Sequence, residues 1–196
     1  MTPSPRDYAL IALEAYSAAP DIGVEKSASR AIIRDTPAGL VVAFPGSNNA
    51  NCWQTDFNAL PTTVDGIGSI HRGFWEAWLA IAAPVLEAIG DKPVTFVGHS
   101  LGAALAIVAA TVMTKAQKPP AAVYGFEPPR VSPDINIRTI LANEPVKLYR
   151  NGLDIVTDLP ANWSQSAELI GIGTPWIPIP NAVDHMLPRV IKALPQ

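Results

Sequence analysis

The chain has little of what marks the specialised protein classes. It holds one cysteine, Cys52, so no internal disulfide can form and the fold does not depend on oxidation. As a lone residue Cys52 reads as a small, half-buried side chain rather than a reactive thiol. Lysine and arginine never cluster, and a net charge of −3 argues against nucleic acid or an anionic membrane surface as the partner. Met1-Thr2-Pro3-Ser4-Pro5-Arg6 lacks the basic start and apolar core of a signal peptide, from which a cytoplasmic or non-classically released protein is expected. No repeat, low-complexity tract or interdomain linker interrupts the chain, and a length of 196 residues fits one domain over 1–196. The 20 prolines are spread over turns, more of them in the second half of the chain, the mark of a loop-rich globule rather than of disorder.

What is present centres on Val94 to Met113. Val94-Thr95-Phe96-Val97 is an apolar, β-branched run without alternation, as in a strand buried on both faces of a parallel sheet. Leu101 to Met113 is rich in alanine and leucine and reads as a buried helix. His99, Ser100 and two glycines interrupt the stretch, leaving a run too short to cross a bilayer. The joint is Gly98-His99-Ser100-Leu101-Gly102, a G-x-S-x-G pentad in its strand-to-helix setting. A serine on so tight a turn needs positions without bulk two residues either side of it, where strand and helix nearly touch. Ser100 is the candidate nucleophile. The backbone N–H of Leu101, heading the helix, is a candidate oxyanion donor.

The rest of the chain supports an α/β architecture with a mainly parallel sheet and right-handed crossovers. Helices are expected over Tyr8–Tyr16, Phe74–Ile89 with a kink at Pro84, Asp134–Leu141 and Val183–Leu194. Ser29–Arg34 and Leu40–Phe44 flank a Pro/Gly turn and should form a hairpin. Further strands are expected over Ala121–Phe126, Val146–Arg150 and Ala167–Ile172, while Asn48 to Ile70 reads as irregular or weakly helical. The loop Phe44-Pro45-Gly46-Ser47 ends an early strand, the place from which a second oxyanion donor comes, and Ser47 is that candidate. The segment after it, with Asn49, Trp53 and Asp56, is a candidate lid or substrate wall.

A serine hydroxyl needs an imidazole to take its proton and a carboxylate to hold that imidazole. Three histidines make elimination possible. His71 precedes the serine, against the chain order Ser, Asp/Glu, His that goes with this pentad. His99 adjoins Ser100 and must point elsewhere. His185, after the last strand, is the expected base. Glu144, Asp154, Asp158 and Asp184 are the contenders for the acid. Asp184 neighbours His185 in sequence and would point to another side. Asp154 follows a strand end and a glycine-containing turn and is preferred, with Asp158 as its serious rival.

Taken together, Phe44-Pro45-Gly46-Ser47, Asn51-x-Trp53-x-x-Asp56, His71-x-Gly73-Phe74, Gly98-His99-Ser100-Leu101-Gly102, Gly125-Phe126-x-Pro128-Pro129-Arg130-Val131, Asn151-x-x-Asp154-Ile155-Val156-x-x-Leu159-Pro160 and Asp184-His185 resemble the class 3 (fungal-type) lipases. The anchors run in the family's order from about residue 30 to the C-terminus. The resemblance implies an α/β-hydrolase fold and an ester hydrolase needing no metal and no cofactor. It implies a triad of Ser100, Asp154 and His185, which decides for Asp154 over Asp158. It also implies an oxyanion hole of Ser47 and Leu101, with Asp56 bracing the Ser47 loop. Two departures stand out. Phe44-Pro45-Gly46 replaces the family's phenylalanine-arginine-glycine, and Phe126-Glu127-Pro128-Pro129-Arg130 replaces its glycine-glutamine-proline-arginine. The lid region Asn48-Asn49-Ala50-Asn51-Cys52-Trp53 has only Trp53 as a large apolar residue, whereas a lid opened by an oil surface needs an apolar face. An esterase on short to medium acyl esters is therefore expected, with weak interfacial activation, a small ester or lipid as substrate and no stable membrane insertion. Phospholipase A1, feruloyl esterase or acyltransferase chemistry on the same triad, and a non-catalytic binding module on the same fold, are the rivals.

Overall fold

The structure, a computed structural model, describes residues 3–47 and 60–195. Helix α1 (Pro5–Ser17) starts at a capping box: the Ser4 hydroxyl accepts the Asp7 N–H, and the Asp7 carboxylate takes the Ser4 N–H at 2.7 Å. Proline suits its first turn, where no N–H is needed. The helix buries Tyr8, Ala9, Ala12 and Ala15, a mostly small-residue face that lets it lie close on the sheet.

Strands β1 (Ile22–Gly23), β2 (Arg30–Thr36) and β3 (Gly39–Phe44) follow, with β2 and β3 forming the expected antiparallel hairpin. A second hairpin, β4 (Pro61–Val64) and β5 (Gly68–His71), stands apart as its own two-stranded sheet. This corrects the expectation of irregular or weakly helical chain for residues 60–70, while the earlier part of that stretch, 48–59, lies outside the described residues. Thr62-Thr63-Val64 is β-branched and runs into an Asp65-Gly66 turn, with Pro61 at the first residue of the strand where it costs no ladder bond. The long helix expected over Phe74–Ile89 is two helices, α2 (Arg72–Leu79) and α3 (Ala82–Ile89). A proline ring at position 84 clashes with the carbonyl four residues earlier, that of Ala80, so the helix ends there instead of kinking.

The chain continues through β6 (Val94–His99), α4 (Leu101–Lys115), β7 (Ala122–Phe126), α5 (Asn136–Ile140), β8 (Val146–Asn151), a 3-10 turn at Val156–Asp158, β9 (Leu169–Ile172) and α6 (Leu187–Ala193). The final helix starts four residues later than expected. Pro188 sits in its first turn and fixes the start, leaving Val183 to Met186, His185 among them, in the loop.

The main sheet has seven strands in the order β1-β2-β3-β6-β7-β8-β9, antiparallel up to β3 and parallel from β3 to β9. Alternation along the strands sorts the core into two layers. Leu40, Val42, Phe44 and Phe96 face α2 to α4 with Phe74, Trp78 and Val85, whereas Val41, Ala43, Val97 and Phe126 face α1 and α6 with Tyr8, Ala12, Leu187 and Val190. Helix α4 is buried almost all round, which its run of alanines permits. The parallel strands β3, β6, β7 and β8 all end toward one edge, and there the functional loops gather.

Candidate active site

The turn between β6 and α4 is as tight as the pentad implied. A Cβ on Gly98 would lie 2.1 Å from the Gly102 carbonyl oxygen, and one on Gly102 would lie 2.0 Å from that of Phe44. Ser100 sits at φ 58°, in backbone space that side chains rarely occupy, a strain that marks functional turns. Its N–H bonds the Phe126 carbonyl at 2.9 Å, and its own carbonyl accepts the N–H groups of Ala103 and Ala104. The Ser100 side chain makes no capping bond to α4, whose leading N–H groups, Leu101 first, carry the positive end of the helix dipole.

Asp154 and His185 meet. The His185 Nδ1–H donates to Asp154 Oδ2 at 2.9 Å, with both side chains buried, which places the lone pair of the neutral ring on Nε2. Asp154 Oδ1 accepts the Val156 N–H at 3.0 Å. Burial alone would raise the Asp154 carboxyl, but hydrogen bonds from Glu127, His185 and Val156 outweigh it and hold it below the usual range. Burial also pushes His185 below the ordinary histidine value, and the Asp154 charge only partly offsets that.

Asp158, the rival acid, is engaged elsewhere. It accepts from Arg150 Nη2 at 2.8 Å and from Arg130 Nη2 at 3.4 Å, and it is partly exposed. Asp184 does not orient His185. Its carboxylate instead takes the N–H of Leu153 at 3.0 Å, the N–H of Trp176 at 2.9 Å and the Asn181 amide at 2.9 Å. Asp184 thereby straps the loop after β8 to the loop before α6 and brings Asp154 and His185 together. His71 is a helix cap, accepting the Phe74 N–H at 3.4 Å and stacking on the Phe74 ring.

Ser47 lines an apolar cleft with Leu13, Tyr16, His99, His185, Met186 and Leu187. Trp176, Ile179 and Met186 are more than half exposed nearby on the same loop. Asn49, Cys52, Trp53 and Asp56 lie outside the described residues.

Two groups that the sequence reading did not single out hold the site together. Tyr16 accepts the Gly46 N–H and donates to His99 Nδ1 at 2.6 Å, while His99 Nε2–H donates to the His185 carbonyl at 2.8 Å. Because that carbonyl can only accept, the tautomer of His99 is set, and a chain of hydrogen bonds links the Ser47 loop to the backbone of His185. The second group is Glu127, buried at φ 53°, whose only signal in sequence was its departure from the family pattern.

Burial, with repulsion from His185 added, pushes His99 down to about 3. The sign follows: the native ring stays neutral while the unfolded chain binds a proton below about 6.5, so stability falls as pH drops below that value. Between pH 7 and pH 5 this residue should remove about 2 kcal/mol of stability. Urea melts at the two pH values check it, with His99→Asn expected to flatten the difference.

The lipase (class 3) family matches residues 41–163. The chain belongs to the class 3 lipase family. Among curated relatives, the secreted mono- and diacylglycerol lipase A of Penicillium cyclopium is 28% identical over 175 residues, covering 79% of this chain and 57% of that protein. The secreted mono- and diacylglycerol lipase 1 of Fusarium solani is 38% identical over 104 residues, covering 48% of this chain and 31% of that one. The chain thus spans about half or less of the curated relatives it matches. The Rhizomucor miehei triacylglyceride lipase superimposes with a TM-score of 0.74 at 17% identity, covering 91% of this chain and 90% of that one, and shows that this class 3 lipase chain has the α/β-hydrolase fold. The expectation of a cytoplasmic or non-classically released protein is overturned by these relatives, which are named as secreted enzymes. It had rested on residues Met1 to Arg6 alone, and a fold that needs no disulfide is indifferent to the redox state of its compartment. Among the described residues no helix is long and apolar enough to cross a membrane.

Proposed function

We propose that this class 3 lipase chain is a serine carboxylic-ester hydrolase acting through Ser100, His185 and Asp154 and an acyl-enzyme. The observation that carries the reading is the buried Asp154–His185 hydrogen bond of 2.9 Å, built by loops at the strand ends that also carry the Ser100 turn. His185 Nε2 takes the Ser100 proton as Oγ attacks the ester carbonyl, and Asp154 stabilises the imidazolium. The N–H groups of Ser47 and Leu101 receive the oxyanion, each donor typically contributing about 3 kcal/mol to the transition state. His185 then protonates the leaving alcohol, and water repeats the sequence on the acyl-enzyme.

The cleft lined by Leu13, Met186 and Leu187 beside His185 supports an acyl or glyceride chain as the substrate's apolar part. The asparagine-rich stretch 48–53 supports short to medium acyl chains and weak activation at an oil surface. The test combines a chromogenic ester series, from acetyl to long-chain acyl, with labelling by a serine-directed phosphonate. Turnover should peak at short to medium chains, with the label found on Ser100 by peptide mass spectrometry. A large rate jump on crossing the substrate's solubility limit would refute the chain-length reading and leave the triad standing. No label on Ser100 would bring forward the binding-module reading, and competition with phospholipid, feruloyl ester or alcohol acceptors separates the chemistries that share the triad.

A further inference from the structure

Ester hydrolysis by three residues leaves Glu127 without a task, although the fold goes to some length to place it. The side chain is fully buried. Its backbone is held at φ 53°, a conformation that glycine adopts freely and other residues rarely do. The Glu127 N–H bonds the Tyr149 carbonyl at 2.9 Å, and Oε1 accepts the Asn151 N–H at 2.7 Å, so both ends are tied to β8. The carboxyl also meets that of Asp154. One oxygen of each acid and one ring nitrogen of His185 lie within 4.8 Å of one another.

Two buried carboxyls in contact do not both ionise, so one of them keeps a proton. The donors decide which. Asp154 takes N–H groups on both oxygens, from Val156 and from His185. Glu127 takes one on Oε1, while Oε2 is buried with no donor on it among the described residues. A proton on Oε2 gives that atom a hydrogen-bond role and leaves Asp154 ionised beside the base.

We propose that Glu127 is a positioning residue, a neutral carboxylic acid whose Oε2–H donates to Asp154 and fixes the carboxylate that orients His185. The inference rests on the ester-hydrolase reading for its consequence, not for its geometry. Burial and the Asp154 charge push the Glu127 carboxyl well above its usual range, against the pull of the Asn151 N–H and the Arg150 guanidinium. Among the described residues the charged and titratable groups facing it are Asp154, His185 and Arg150, the last already paired with Asp158.

Two substitutions separate this role from a structural one. Glu127→Gln keeps a donor and an acceptor in the same shape without a titrating proton. Glu127→Gly accepts the backbone conformation with less strain and removes the donor. E127Q should keep kcat within about threefold of native, whereas E127G should lose about 10- to 100-fold in kcat with KM nearly unchanged, the range found when the outer partner of an orienting group is removed. On the alkaline side, ionisation of Glu127 sets a second negative charge against Asp154, so native kcat should fall there and E127Q should not share that fall. At neutral pH the native-minus-E127Q infrared difference should contain the carbonyl stretch of a protonated carboxylic acid. Absence of that band overturns the proposal whatever the activity does. Native kcat in folded E127G, or E127Q as slow as E127G, overturns it as well. Loss of Ser100-dependent hydrolysis in the native protein would instead count against the ester-hydrolase reading, with the band still deciding the state of Glu127.

Discussion

Ser100→Ala is expected to lower kcat on a short-chain chromogenic ester by about 10⁶-fold, the scale seen when a triad nucleophile is removed. The size follows from the absence of a substitute. Ser47, which lines the cleft, lies in the loop after β3 and in the proposed mechanism lends only its N–H, whereas Ser100 stands at the head of α4 on the strained turn. The residual rate, above that in water, would come from the oxyanion donors and from binding. Alanine meets the same backbone strain at φ 58° that serine does, and neither Ser100 N–H nor carbonyl bonds change, so the melting temperature should move little. A fall of only a few-fold in a variant that melts like the native protein would remove Ser100 from the mechanism.

How legible the site was in sequence depended on whether its constraint is local. The Ser100 turn could be read because Gly98 and Gly102 are demanded by contacts between residues that are also neighbours in the chain, and the 2.1 Å and 2.0 Å approaches show how strict the demand is. The parallel strands around it could be read for the same reason, each being a short apolar run between turn signals. The helix break before Pro84 and the β4–β5 hairpin were misread because a period of 3.6 and a run of β-branched residues compete in short segments, and tertiary packing chooses. Asp184 was set aside correctly as the partner of His185, yet its work in strapping two loops 31 residues apart has no local signature. Tyr16 lies 83 residues from His99, and only the folded sheet brings the two within 2.6 Å. Glu127 was visible as a departure from the family pattern without a meaning attached, because its meaning lies in the buried Asp154 beside it.

The network behind Asp154 and His185 also explains why the site depends on loops and still holds its geometry. Asp184 fixes the spacing of the loops after β8 and before α6, and the Gly46–Tyr16–His99–His185 chain ties the Ser47 loop to the backbone of His185. Each tie uses a buried polar group that would be costly to leave unpaired, so the loops are held to one arrangement.

Asp154→Asn should therefore cost about 10⁴-fold in kcat, and Asp158→Asn no more than a few-fold. An asparagine amide turned toward Nδ1 would make His185 carry its proton on Nε2, the wrong tautomer for accepting from Ser100, and an amide turned the other way would still lose the charge that stabilises the imidazolium. The sign of the pH effect follows from the same charge. Burial pushes His185 down and Asp154 pulls it part of the way back, so removing the carboxylate moves the acid limb of kcat/KM, already below the ordinary histidine value, to still lower pH. Asp158 faces Arg130 and Arg150 at the surface, where an exposed pair contributes little, about 0–1 kcal/mol, and touches neither histidine of the site. Kinetics of the two variants over a range of pH give the decision in one experiment. Equal losses in both, or a larger loss in D158N, would hand the role of the acid to Asp158 in spite of the 2.9 Å contact between Asp154 and His185.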